Sequence, residues 1–217
     1  KAVPAAGEAK PDWWIISQLG GRMGFQGFEY QNAKEVFNEF CSLSGTYAGL
    51  NWDRIELGEY HWPVPEEGHP GTPRLHEDSF VNGRGVFKLI RYRDPAETID
   101  DDYPVWLTTG RRLESYHSRT QTGRSEGIDY LLPEESLEVH PEDVSSWGVE
   151  DGDWVKMSSR RGSVRIRVQA TKRSPRGTVF SSFSFNDVPV NILTGSGYDP
   201  VTDTAELKVC PVRIEPD

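Results

Sequence analysis

Long apolar runs are missing from this 217-residue sequence; the longest is Trp13, Trp14, Ile15 and Ile16. A membrane-spanning helix needs about 20 such residues, so none is expected and no direct membrane insertion is read. Cysteine is scarce. Cys41 and Cys210 stand 169 positions apart with no CxxC or Cys/His spacing around them. That pattern does not advertise a zinc or iron–sulfur site. Positive charge is in deficit: 24 Lys and Arg face 34 Asp and Glu, for a net charge of −10. Non-specific nucleic-acid binding is therefore not expected as the main role. Walker and Rossmann glycine fingerprints are absent, and so is Gly-x-Ser-x-Gly, which Gly195-Ser196-Gly197 resembles only superficially. No isolated carboxylate pair sits in an apolar setting, so a glycosidase lacks its acid and its nucleophile. The first residue is Lys1 rather than Met, which reads as a processed chain, a separately encoded subunit or a fragment.

What is present argues for a folded, turn-rich protein. Seven Trp, 8 Tyr and 9 Phe exceed what a disordered chain carries. With 21 Gly and 15 Pro, short elements joined by turns are favoured over a helical bundle. Pro11-Asp12 opens a helix over residues 13–23, ending at Gly20-Gly21 or at Gly24. Asn32 caps a second helix, with Glu35 three positions on and Val36, Phe37, Phe40 and Cys41 on one face. The first helix is the nearest surface for that face. Residues 44–100 lose periodicity, apart from a strand over residues 85–93 that carries Val86, Phe87, Leu89 and Ile90. His61, His69 and His76 in this stretch read as structural, and the acidic run over residues 97–102 reads as solvated.

Beyond Tyr103 short strands take over, at residues 104–109, 137–140, 154–158, 162–170, 178–183 and 207–214. In the fourth, Val164, Ile166 and Val168 share one face and Arg165 and Arg167 the other. A short helix starts at Pro141 and stops before Gly148, with His140 before it as a cap or an edge residue. Six such strands suggest a closed barrel or a sandwich.

The chemistry-bearing stretch is residues 107–125, LTTGRRLESYHSRTQTGRS. A strand ends at Thr108-Thr109-Gly110. Arg111, Arg112, Arg119 and Arg124 follow, with Ser115, Ser118, Thr120 and Thr122 around Tyr116 and His117. Glycine permits close backbone approach, arginine forks onto phosphate, and hydroxyls add hydrogen bonds. Together they suit a pyrophosphate cradle; a solvated basic loop is the competing reading. His117 is read as a binding or structural group before a general base.

Three stretches carry a family resemblance: YPVWLTTGRRLESYHSRTQTGRS, LEVHPEDVSSWGVEDGDWVKMSSRRGSVRIRVQAT, and PVNILTGSGYDP with AELKVCPVRIEP. They resemble the C-terminal part of the catalytic subunit of molybdenum- or tungsten-dependent formate dehydrogenases, in the molybdopterin oxidoreductase (dimethyl sulfoxide reductase) superfamily. The resemblance implies a mostly β fold: a six-stranded double-psi β-barrel over residues 103–217. Before it, residues 1–100 would be the end of an α/β domain, with two helices and a long irregular connection. It implies that bis-molybdopterin guanine dinucleotide, carrying Mo or W, meets Thr109, Gly110, Arg111, Arg112, Tyr116, His117, Ser118 and Thr120, then Phe183, Asn191 and Lys208. Arg111, Arg112 and Lys208 would offset phosphate charge. No catalytic or metal-ligating residue is implied in this chain, because the family's metal ligand and iron–sulfur cluster lie upstream. Cys210 reads as a packed residue. The implied partners are the remainder of the catalytic subunit, iron–sulfur electron-transfer subunits, and formate with carbon dioxide as substrate. The alternatives are a barrel subunit of another molybdopterin oxidoreductase, such as formylmethanofuran dehydrogenase, and a non-enzymatic double-psi barrel adaptor. The compartment is left open.

Overall fold

The computed structural model describes residues 3–217. The chain divides into two compact units, with the boundary between Leu89 and Ile90. In the first unit, helix α1 (Asp12–Arg22) starts after Pro11 and has an acid in its first turn and a base in its last, both favourable to the helix dipole. It buries only Ser17 and Gly20. Phe28 lies over Gly20 so closely that a Cβ there would sit 2.9 Å from the ring. Helix α2 (Ala33–Leu43) begins as its sequence predicts. Asn32 Oδ1 accepts from the Glu35 amide at 3.0 Å, and Glu35 accepts from the Gln31 amide at 2.8 Å.

The apolar face of α2 packs on residues that follow it in the chain. Cys41 is buried with Leu50 and Val64, Phe37 stands edge-on to Trp52 at 6.1 Å, and Phe40 lies 4.8 Å from Tyr47. The partner is the segment following α2, which includes a short helix absent from the sequence reading, α3 (Trp52–Leu57). Asn51 caps it by accepting from the Arg54 amide. Arg54 then stacks on Tyr60 at 4.5 Å and donates to the carbonyls of Gly49 and His69. His69 Nδ1 accepts from the Gly71 amide at 3.0 Å, a structural use of the ring.

The strand expected over residues 85–93 does not form. The segment has no regular structure, and its apolar side chains face solvent. An extended run becomes a strand only when another strand takes up its N–H and C=O groups. The nearest pairing is a single bridge, Phe80 to Gly83.

The second unit is a closed barrel of six strands. They are β1 (Val105–Gly110), β2 (Ser136–Val139), β3 (Trp154–Ser158), β4 (Ser163–Ala170), β5 (Thr178–Ser182) and β8 (Cys210–Pro216). Their order is β1-β5-β2-β4-β3-β8, closing from β8 to β1. The pairs β1/β5 and β2/β4 are parallel and the others antiparallel. Alternation places Val164, Ile166 and Val168 of β4 inside and Arg165 and Arg167 outside, as read from sequence. Leu107, Leu137, Met157, Ile166, Val179 and Val212 are fully buried. Between β2 and β3, helix α5 (Pro141–Ser146) is capped by His140 Nδ1, which accepts from the Glu142 amide.

Two features differ from expectation. The terminal strand begins at Cys210 rather than at residue 207, and a two-residue hairpin precedes it, β6 (Tyr198–Asp199) with β7 (Thr204–Ala205). The acidic run is not a free solvated segment. Glu97 pairs with Arg160 and Arg161, Asp100 pairs with Arg160, and Arg213 donates to the carbonyls of Asp101 and Asp102. Arg161 and Arg160 hold Glu97 below the usual carboxylate range, the Arg161 hydrogen bond contributing most. Cys210 is 1% exposed and donates to the Leu193 carbonyl at 2.9 Å. Burial raises its thiol above the ordinary value. Both cysteines are free.

Candidate functional site

The parallel strands β1 and β5 end side by side, Gly110 opposite Ser182. Their loops therefore leave the barrel together, and the Phe183 amide donates to the Gly110 carbonyl at 3.4 Å. Gly110 has a packing reason to be glycine: a Cβ there would lie 2.8 Å from the Phe180 ring.

The loop of residues 111–125 sorts its arginines into two kinds. Arg112 faces the protein. It donates to Glu135 Oε1 at 3.0 Å, to Glu138 Oε1 at 2.9 Å and to the Ser136 carbonyl at 2.9 Å. Glu135 is fully buried at its side chain, and its other oxygen accepts the Ser182 hydroxyl. The fork that sequence reading assigned to phosphate is thus filled by two carboxylates of the barrel, and its charge is already neutralised. Arg119 is likewise an anchor. It stacks on Phe185 at 4.2 Å, pairs with Asp129 in helix α4 (Glu126–Leu131), and donates to the Leu132 carbonyl at 2.9 Å.

Arg111 is the other kind. It is exposed, makes no ion pair among the described residues, and lies 5.6 Å from the Phe183 ring. Tyr116, His117, Ser118 and Thr120 are exposed beside it in sequence. Tyr116 and His117 meet edge to face at 4.5 Å, and the Ser118 and Thr120 hydroxyls are 3.1 Å apart. His117 and Arg119 have φ of 49° and 59°, a left-handed backbone that non-glycine residues hold only when surrounding contacts impose it. At Arg119 the side-chain anchor and the bond from the Gly123 amide to its carbonyl hold the chain in that conformation.

Thr109 is buried, and its hydroxyl donates to the Leu207 carbonyl at 2.5 Å. That bond draws exposed Lys208 to the same end of β1. Asn191 lies apart, in the turn Val190–Leu193, where its carbonyl accepts from the Thr194 hydroxyl at 2.9 Å. No hydrogen bond or ion pair among the described residues joins it to the cradle.

Two clefts flank the loop. One, of about 490 Å³, is lined by Arg111, Arg112, Glu138, Arg173 and Phe180. The other, of about 310 Å³, is lined by Ser118, Arg119, Asp129, Ser184 and Asn186. Ser184 is fully buried and its Oγ has no hydrogen-bond partner. An orphaned hydroxyl is costly and marks a place for a polar ligand atom or water. Sequence reading missed Glu135, Glu138, Ser182 and Ser184. The visible signal was weak: Glu138 alternates between Leu137 and Val139, a pattern that ordinarily faces solvent.

Residues 105–211 match the family model described as the molydopterin dinucleotide binding domain. Over 99% of its length the chain is 39% identical to F420-dependent formate dehydrogenase 2 subunit alpha of Methanococcus maripaludis, covering 32% of that protein. It is 36% identical over 98% of its length to the assimilatory nitrate reductase catalytic subunit of Bacillus subtilis, again covering 32%. Among solved structures, acetylene hydratase from Pelobacter acetylenicus shares the fold at a TM-score of 0.68 and 17% identity, over 100% of this chain and 34% of that one. The chain spans about a third of the length of the curated relatives it matches.

Proposed function

We propose that this chain, whose residues 105–211 match the family model of the molydopterin dinucleotide binding domain, is the cofactor-holding C-terminal portion of a formate dehydrogenase. The observation that carries the reading is Arg111: an exposed, aromatic-backed cation at the paired ends of β1 and β5, on a loop where Arg112 and Arg119 are already filled and Arg124, like Arg111, is exposed and makes no ion pair among the described residues. Arg111 and Lys208 supply positive charge to the phosphates, and Ser118, Thr120 and the orphaned Ser184 hydroxyl supply hydrogen bonds. Tyr116, His117 and Phe183 present rings beside them. Arg112 and Thr109 act one step removed, holding the loop and the Lys208 segment in place. These donors fit an anionic pterin dinucleotide.

When bound, the molybdenum or tungsten centre of that cofactor supplies the two-electron chemistry by which formate becomes carbon dioxide and a proton. This chain binds and orients, and it carries no metal-ligand cluster of three or more His, Cys, Asp or Glu among the described residues. The remainder of the catalytic subunit and an iron–sulfur subunit complete the enzyme. Metal and pterin analysis of the purified enzyme, with parallel formate and nitrate assays, tests the reading. Stoichiometric pterin with formate oxidation supports it. Nitrate reduction without formate oxidation would favour the second reading, a nitrate reductase, which the 36% identical Bacillus subtilis relative motivates.

His117 is assigned to binding, since it stands on the exposed cradle loop against Tyr116. His117→Ala should lower cofactor retention or shift the reduction potential of the metal. Its pH profile of formate oxidation, per metal-loaded enzyme, should keep its shape. Loss of the acidic limb at full loading would instead make His117 a general base, whose removal typically costs about 10²–10⁴-fold in rate.

A further inference from the structure

The stretch of residues 84–93, Arg-Gly-Val-Phe-Lys-Leu-Ile-Arg-Tyr-Arg, has the composition of a buried strand and the environment of an exposed arm. Val86, Phe87, Leu89, Ile90 and Tyr92 are 75%, 104%, 85%, 90% and 84% exposed. In an extended conformation Val86, Ile90 and Tyr92 fall on one face and Phe87 and Leu89 on the other. A strand apolar on both faces belongs to a sheet covered on both sides. Within the stretch, Arg84, Lys88, Arg91 and Arg93 stand with no acidic residue, in a chain of net charge −10. None of the four makes an ion pair among the described residues.

We propose that residues 86–92 add as a β-strand to a sheet edge bearing acidic side chains, in the part of the catalytic polypeptide that lies outside this chain. The inference rests on the reading above, that the chain works as one portion of a longer subunit. Three observations select that occupant. First, the barrel of this chain is closed, so apart from the two-residue β6/β7 pair its sheets offer no edge. Second, another copy of the chain has the same closed barrel, and pairing arm with arm would set four cations against four, which is unfavourable across a ladder. Third, the relatives carry about two-thirds of their length beyond the match, which is where an unpaired acceptor edge can lie. Main-chain hydrogen bonds would supply the affinity and the cations the register, as in other strand-addition contacts.

Trypsin tests this directly, because Lys88 and Arg91 are its sites. The 217-residue chain should be cut there readily, and the assembled enzyme roughly tenfold more slowly or less, since a paired strand must open first. Amide exchange in the assembled enzyme should show protection alternating along residues 86–92. Of Phe87→Pro and Lys88→Pro, one should lose that protection and the other keep it, because an edge strand pairs every second amide. Equal cleavage in enzyme and chain overturns the proposal. So does protection without alternation, and so does protection of the chain alone that grows with its concentration, which would make a second copy the occupant. An enzyme that protects the arm but fails to oxidise formate would refute the functional reading and leave the strand addition standing.

Discussion

The two units of this chain handle apolar side chains in opposite ways. Among the described residues, the barrel gathers seventeen buried residues into one continuous core, whereas the first unit buries Cys41, Leu50 and Val64 as its centre. The first unit also leaves Ile15, Ile16 and Leu19 of α1 and the following Met23 in solvent, along with Leu43, Leu57 and Phe87. Every strand of the barrel has two neighbours, so its backbone groups and its inward face are both satisfied within 128 residues. Helices α2 and α3 carry side-chain N-caps and α1 carries none, and capping satisfies only helix ends. A helix of eleven residues draws most of its stability from the face it packs, and α1 packs almost none of its apolar stripe. The barrel is thus self-sufficient, and the first unit has surface that only another chain segment can cover.

The largest effect expected from this contrast is in amide exchange of the chain alone. Amides of β1, β4 and β5 should exchange only on global opening, while those across residues 13–40 exchange through local opening, roughly a hundredfold or more faster. Slow exchange across the helices would erase the contrast.

Next in size is Arg112→Ala. It would strand the buried Glu135 carboxylate, and breaking such a pair costs about 3–5 kcal/mol. The loss should appear as a lower denaturation midpoint of the barrel, with the first unit unaffected. Arg111→Ala, one residue away, should leave barrel stability unchanged. It removes a charged hydrogen bond worth roughly 1.5–3 kcal/mol, so cofactor occupancy in the assembled enzyme should fall. Full occupancy in that variant would refute the cradle, and equal destabilisation by both variants would refute the division between anchor and free cation.

The smallest effect concerns the clasp between residues 97–102 and the barrel. Arg161 and Arg160 lower the folded-state pKa of Glu97. A depressed carboxylate pKa means that stabilisation is complete above the unfolded value and is lost as pH falls through the folded one. Acidification should therefore release this segment, seen as faster exchange at Ala96, whose amide donates to Glu206, and at Tyr103, whose amide donates to Asp100. Glu97→Gln should flatten that dependence. An unchanged pH response in the variant would refute the role given to Glu97.

How much was legible in advance varies with the range of the interaction. The alternation of β4, the Asn32 cap, the His140 cap and the positions of the barrel strands to within three residues depend on near neighbours along the chain. Residues 85–93 show the limit of that reasoning. Their pattern is that of a strand, but pairing requires a second strand, and none is present among the described residues. Gly110 likewise needed the Phe180 ring before its reason was visible.

By itself, then, the sequence determined a turn-rich chain whose second half is a set of six short strands, and a loop after Gly110 rich in arginine and hydroxyls. Periodicity and turn chemistry are local, so they can be read in order along the chain. Only the tertiary structure decided which arginine is free. Arg112 and Arg111 are adjacent and chemically identical, yet one meets Glu135 and Glu138, 23 and 26 residues away, and the other meets solvent above Phe183. The sign and burial of a charge's neighbours follow from how the barrel closes, and closure is a property of the whole sheet.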